Sequence, residues 1–245
     1  MAPTHKAGKT YRLWCGTIRL SRIMDDGNVS RAVDTVEQTV YEDEWKRHLP
    51  GQRMGDFSCS GLFDGSTEQV HAILETALQS TANPTWTSTP IGSAVGNPAL
   101  LFESIATAFD VSAPAAGRVS VSGGATPNGR LASGFSLVDG TSAKTSTGAQ
   151  AAVDSAVVAG TTGGGVAHFH LTDAASLTSV TVVVQHSSAA VSWADLATFT
   201  TTVVAQQRTA VAGTIKRHIR GTITAFTGAG GKTVNVETAF ARLNP

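Results

Sequence analysis

A chain of 245 residues, 41% hydrophobic and only 15% charged, can bury a real core as one large domain or two ordinary ones of roughly 100–200 residues each. Lysine plus arginine equals aspartate plus glutamate at 18 each, which leaves no surplus positive field to hold nucleic acid by counterion release and excludes a general DNA-binding role. No stretch approaches the ~20 apolar residues of a membrane span, and the opening MAPTHKAGKTYRLW lacks the apolar core of a signal peptide, so a soluble, cytosolically made protein is expected.

In chain order, residues 11–20 read as a strand with Trp14, Ile18 and Leu20 on one face. Asp25, Asp26, Gly27 and Asn28 read as a turn. Residues 30–40 form the next strand, and the broken alternation between Val33 and Val36 marks a bulge. Residues 41–53, YEDEWKRHLPGQR, are dense in charge and end on Pro50 and Gly51, which predicts a long exposed loop. Phe57, Cys59, Gly61 and Phe63 alternate along a strand closed by Asp64 and Gly65. A helix follows: Ser66 and Gln69 make a capping box, and Val70, Ile73, Leu74, Ala77 and Leu78 an apolar stripe that should pack on a sheet.

Residues 83–98, with Trp86 among Pro, Thr, Ser and Gly, read as a loop or short edge strand. Residues 100–111 and 117–122 read as neighbouring strands joined through Pro114, and 134–138 as another. Residues 140–165 are almost all Thr, Ser, Ala and Gly and cannot bury much surface, so the domain boundary is placed within them, giving domains 1–145 and 146–245. The second half reads as strands at 166–171, 177–186, 198–205, 214–226 and 233–243, spaced as in an antiparallel sandwich or jelly roll.

No catalytic constellation emerges. GAGGKT at 228–233 resembles the end of a phosphate-binding loop, but Phe226 stands where the first glycine should be and a strand follows, so a glycine-rich hairpin turn is the better account. His168 and His170 share one strand face without a third ligand, and His71 and Glu75 lie four apart on the helix; polar strand face and surface pair are the simpler readings. Cys15 and Cys59 have neither metal nor redox spacing and read as buried free thiols. Lys216, His218 and Arg220 alternate opposite Ile215, Ile219 and Ile223, as on an exterior sheet face. No nucleophile elbow or metalloprotease motif is present, so no enzyme activity, cofactor or metal is expected.

The run VDTVEQTVYEDEWKRHLPGQR leading into GDFSCSGLFDG, then a capped helix, then LLFESIATAFDVSAPAAGRVSVSGGATPNGRLASGFSLVDG, resembles the major tail tube proteins of long-tailed bacteriophages over most of residues 11–140. The later VTVVVQHSSAAVSWADLATFTT, TIKRHIRGTITAF and VNVETAFARLNP are similar to C-terminal regions of actinobacterial-phage tail proteins, and also to jelly-roll carbohydrate-binding modules. The resemblance implies a mainly-β protein: a tail-tube-type β-sandwich or barrel with one packed helix, followed by a second, jelly-roll-like antiparallel β-sandwich. It implies six copies in a ring, inner sheets joined into one barrel, and rings stacked into a tube through which double-stranded DNA passes without specific binding. It further implies a tape measure protein and tail terminator or distal tail proteins as partners, assembly in the host cytoplasm, a final place in the virion tail, and no membrane.

Ring stacking is assigned on the same resemblance to the loop formed by Tyr41, Glu42, Asp43, Glu44, Trp45, Lys46, Arg47, Leu49 and Arg53. Its mixed charges allow complementarity between identical copies, and Trp45 and Leu49 would be apolar anchors. The competing reading is a glycan- or receptor-binding module, which monodisperse, glycan-binding monomers would favour over polymers or rings.

Overall fold

The computed structural model describes residues 8–22, 24–39, 45–63, 70–79, 83–156 and 163–243. The class is mainly β and antiparallel, as expected. In chain order the strands are β1 (Arg12–Cys15), β2 (Ile18–Arg19), β3 (Met24–Glu37), β4 (His48–Leu62), β5 (Thr85–Thr89), β6 (Pro98–Ser112), β7 (Ser120–Pro127) and β8 (Ala132–Val138). They continue as β9 (Gly148–Ala149), β10 (Val153–Asp154), β11 (Gly165–Ser187), β12 (Ala194–Thr201), β13 (Ala205–Val211) and β14 (His218–Arg242), and helix α1 spans Val70–Gln79. Among the described residues no helix is long and apolar enough to cross a membrane.

The chain divides into two compact units, and not at residue 145. One unit takes the N-terminal stretch to Arg22, Pro84–Glu103 and Arg130–Pro245; the other takes Ile23–Asn83 and Ser104–Gly129. The Thr/Ser/Gly-rich stretch expected to be a linker is, where described, tied to β14. Ala149 and Gly148 pair with Thr222 and Ile223, Val153 and Asp154 with Ile219 and His218, and Lys144 bridges Val234. Small hydroxyl and alanine side chains bury little area, but their backbone groups still need partners, and β14 supplies them.

In the first unit the long strand β11 does the work of two. Register shifts at Leu171/Asp173 and Ala175/Leu177, with Ser176 at φ 54°, break it near its middle. Residues 165–171 pair with β13 on one side and the C-terminal half of β14 on the other, while 180–186 pair with β12 and are flanked by the N-terminal half of β14. Ala167, Phe169 and Leu171 on one half and Val180, Val182 and Val184 on the other enter the same core. Phe169 stacks on Phe199 of β12 with centroids 5.3 Å apart, so the halves pack as two layers of a sandwich. Phe169→Ala is expected to cost about 3–5 kcal/mol, read as a lower urea midpoint with an unchanged slope.

GAGGKT corrects the hairpin expectation. Ala175 pairs with Thr233 and Leu177 with Gly228, so β14 spends five residues where β11 spends two, and the glycines form an excursion within the ladder. Gly228 and Gly231 take φ of 157° and 77°; the second lies where only glycine is unstrained. The expectation of a loop or short edge strand at 83–98 is corrected in part: there is a short strand, but it is not an edge. Thr85–Thr89 is a fully buried strand between β1 and β6, with Trp86 stacked on its cross-strand partner Phe102 at 5.9 Å.

The second unit is simpler. Strands β3, β4, β7 and residues 104–112 of β6 form an antiparallel sheet in the order β3-β4-β7-β6, and α1 lies against β4 and β7. A register shift is present between Val33 and Thr35, but the extra residue is on β4 and not on β3 as expected: Val33 pairs with Arg53 and Thr35 with Pro50. The expected turn at 25–28 is instead strand, with a bulge between Met24 and Asp26. The capping box at Ser66 and Gln69 lies outside the described residues.

Candidate assembly surface

Strand alternation divides the side chains of this four-stranded sheet. Phe57, Cys59 and Gly61 pair with Ala125, Gly123 and Val121, all buried, on one face. Burial pushes the Cys59 thiol up to about 12, which makes it an inert core residue, as expected of both cysteines; Cys15 is likewise buried and free. The opposite face carries Asp26, Asn28 and Ser30 on β3, Asp56, Ser58 and Ser60 on β4, Ser122 and Gly124 on β7, and Ala108 and Asp110 on β6. It is a face of small polar side chains and carboxylates, with a shallow groove between Asp26, Ser60, Ser122 and Asp110. Next to it, Asp25 accepts from Ser60 Oγ at 2.9 Å and forms an ion pair with Arg118. These contacts, led by the Ser60 hydrogen bond, hold its carboxyl below the usual range.

Both outer strands of this sheet have an open side. Among the described residues, β3 pairs only with β4, and residues 104–112 of β6 pair only with β7. Because the sheet has an even number of antiparallel strands, its two edges run in opposite directions. Among the described residues neither edge is shielded by proline or by a covering strand, and each carries a single bulge, between Met24 and Asp26 on β3 and between Ala106 and Ala108 on β6.

Residues 48–56 and 30–37 extend beyond β7 as a two-stranded ribbon. The sequence expectation of a loop over 41–53 is therefore corrected: His48–Arg53 is strand, paired as far as Val33↔Arg53, Thr35↔Pro50 and Val36↔Leu49. Pro50 is tolerated because β4 has a partner on one side only here, so a missing N–H need not break a ladder. Tyr41, Glu42, Asp43 and Glu44 lie outside the described residues. Of the others, Lys46 bonds Glu37 at 3.0 Å, and Arg47 accepts from the Gln38 amide at 2.8 Å while its own amide bonds Thr39 Oγ1 at 3.3 Å.

Trp45 is 82% exposed, and Leu49 and its cross-strand partner Val36 are 49% and 56% exposed. Arg53 is exposed opposite Val33. The ribbon thus brings Trp45, Leu49 and Arg53 into one exposed element and adds Val33, Val36 and Met54, which sequence reasoning left out. A two-stranded ribbon of this length with its apolar side chains in water is marginal on its own.

The histidine pair lies in the first unit. His168 and His170 are 1% and 0% exposed, not a solvent-facing strand surface as expected. Thr87 Oγ1 of β5 lies 2.8 Å from His170 Nε2 and 3.3 Å from His168 Nδ1. His168 Nδ1 is also 3.1 Å from the Trp86 carbonyl and His170 Nδ1 2.7 Å from that of Gly16. Three of their four ring nitrogens thus serve as internal hydrogen-bonding groups that fasten β5 and the β1–β2 turn to β11, while His168 Nε2 is buried without a partner. Among the described residues no cluster of three or more metal-ligating groups occurs.

No protein-family model matches the sequence, and no curated protein matches it. Among the solved structures that resemble the fold are the following. The tail of an empty gene transfer agent particle with C6 symmetry is 18% identical, covering 44% of this chain and 80% of that one at a TM-score of 0.38. A chain from the virion of a native gene transfer agent particle is 16% identical, covering 52% and 97% at a TM-score of 0.42. The SPP1 Dit (gp 19.1) protein, described as a hub of the adsorption apparatus in phages infecting Gram-positive hosts, is 10% identical, covering 94% and 98% at a TM-score of 0.37.

Proposed function

We propose that this chain is a structural, non-catalytic protein of a phage-type tail, which joins copies of itself into closed rings and the rings into a tube for DNA passage. The sequence resemblance of residues 11–140 motivates the reading. The observation that carries it is the pair of open, oppositely directed edges on the β3-β4-β7-β6 sheet. Edge β6 of one copy laid against β3 of the next continues the antiparallel alternation without a fault, and a head-to-tail contact of this kind closes into a ring when the rotation per copy divides the circle.

In the proposed ring the face bearing Asp26, Asp56 and Asp110 lines the channel. On that face the described positions from these four strands include no lysine or arginine, so passing phosphates meet nothing that would hold them. Six copies, a tape measure protein and terminator or distal proteins are the family's arrangement and are proposed here on the resemblance alone. The exposed ribbon is the proposed stacking element, with Trp45 and Leu49 covered by a neighbouring ring.

Electron microscopy of the purified protein tests both steps. The parent is expected to give rings and tubes, whereas Trp45→Ala and Leu49→Lys give rings that do not stack, with unchanged circular dichroism. A parent that stays monomeric at high concentration overturns the ring. Variants that polymerise like the parent overturn the role of the ribbon.

A further inference from the structure

The sandwich of the first unit carries a side-chain cluster that ring assembly does not use. Asp195 on β12, Gln185 on β11 and Arg220 on β14 stand directly opposite one another across three strands. Gln185 Nε2 donates to Asp195 Oδ1 at 2.7 Å, and Gln185 Oε1 accepts from Arg220 Nε at 2.9 Å and from Thr222 Oγ1 at 3.2 Å. The Arg220 guanidinium lies over the ring of Trp193, 4.1 Å from its centroid. Trp193 itself is half-buried, at the end of the segment that leads into β12.

These bonds fix the orientation of each planar group and leave the outer atoms unused. Among the described residues, the terminal nitrogens of Arg220, the second carboxylate oxygen of Asp195 and the indole N–H of Trp193 make no hydrogen bond to protein. A fixed donor pair, a fixed acceptor and an aromatic ring therefore share one small patch. The opposite charges of Arg220 and Asp195 cancel locally, which disfavours an anion or a cation as ligand and favours a neutral, polyhydroxylated one.

We propose that this cluster is a saccharide-binding site for a neutral pyranose. Adjacent hydroxyls of the sugar accept from Arg220 and donate to Asp195, and apolar C–H groups of the sugar ring pack beside the guanidinium, against the part of the Trp193 indole that Arg220 leaves uncovered. Gln185 is a positioning residue that holds the donor and the acceptor at one spacing. The residues of the site belong to the first unit, and the proposed joining edges to the second.

Trp14 and Trp86 are fully buried, so in a Trp45→Phe background a ligand-dependent change in tryptophan emission reports Trp193. That protein is titrated with maltohexaose, cellohexaose, chitohexaose, a galactan and a rhamnan, and separately with inorganic phosphate. The expected result is a saturable change with at least one neutral saccharide, with a Kd in the millimolar range or below. Gln185→Leu and the exposed-site variant Asp195→Asn should each weaken it at least tenfold while melting like the parent. No change with any of the saccharides, a change with phosphate alone, or undiminished binding by both variants overturns the site.

Discussion

Proline placed at Val29 or at Ser30 is expected to separate folding from ring formation, and to do so through one of the two positions only. Neighbouring residues of a strand send their N–H groups to opposite sides, so one of these groups belongs to the β3–β4 ladder and the other to the open edge of β3. The substitution on the ladder side removes an internal hydrogen bond and lowers the melting temperature. The substitution on the open side removes no internal bond and leaves circular dichroism and melting close to the parent, yet it deletes a donor that the β6 edge of the next copy needs and puts a ring in its way. That variant should sediment as a monomer and give no rings in electron microscopy. Rings formed by both variants would show that β3 is not the joining edge.

The candidate surface was only partly legible in the sequence. Trp45 stood out because a large aromatic among charges in a short segment needs a partner, and the structure leaves it exposed. Val33, Val36 and Met54 did not stand out, because valines in a strand are ordinary until it is known that no second layer covers them. Pro50 and Gly51 read as loop signals. The irregularity they signal is there, since β4 carries one residue more than β3 between Arg53 and Pro50, but a strand with a single neighbour absorbs it without becoming a loop. The open edges are a matter of which strands pair at long range, which no local pattern encodes.

Local features of the fold were read correctly where the physics is local. Helix α1 follows from its apolar stripe, and the inward Ile219 and Ile223 of β14 from period two. The errors share a cause. Thr85, Thr87, Ser88 and Thr89 read as loop or edge strand because they carry hydroxyls, yet they are buried, with Thr87 satisfied by two histidines and Ser88 by Tyr11. The unit boundary failed for a related reason: the chain leaves the first unit after Arg22 and again after Glu103 and returns each time, so composition along the sequence cannot mark a division that is not sequential.

The same buried polar interior makes stability pH-dependent, with a sign that can be worked out. Burial holds the His168 imidazole well below its usual range, with the neighbouring His170 ring and Arg208 adding to the effect, and lowers His170 to about 4. Both are neutral in the fold at pH 7. Below about pH 6.5 the unfolded chain takes up protons that the fold refuses, so stability present above that pH is lost as acid is added; for His170 the loss grows until about pH 4 and reaches roughly 3 kcal/mol. Glu237, the cross-strand neighbour of His170, opposes this. Its buried carboxyl accepts from Ser136 Oγ at 2.7 Å and the Gly140 amide at 2.8 Å, yet burial raises it well above the usual range, so it binds a proton in the fold before the unfolded chain does and favours the fold as pH falls toward the ordinary carboxylate range. The other charges near these groups, Arg208 with its partner Glu103, Asp139 and Lys144, lie at or near the surface and shift the profile less. Melting temperature should therefore fall between pH 6.5 and 4, more steeply in Glu237→Gln, and much less in a His168→Gln, His170→Gln double variant, whose amides keep a donor and an acceptor but cannot take the proton. A parent whose melting temperature is flat across that range, or a double variant that falls as steeply as the parent, would remove the histidines as its source.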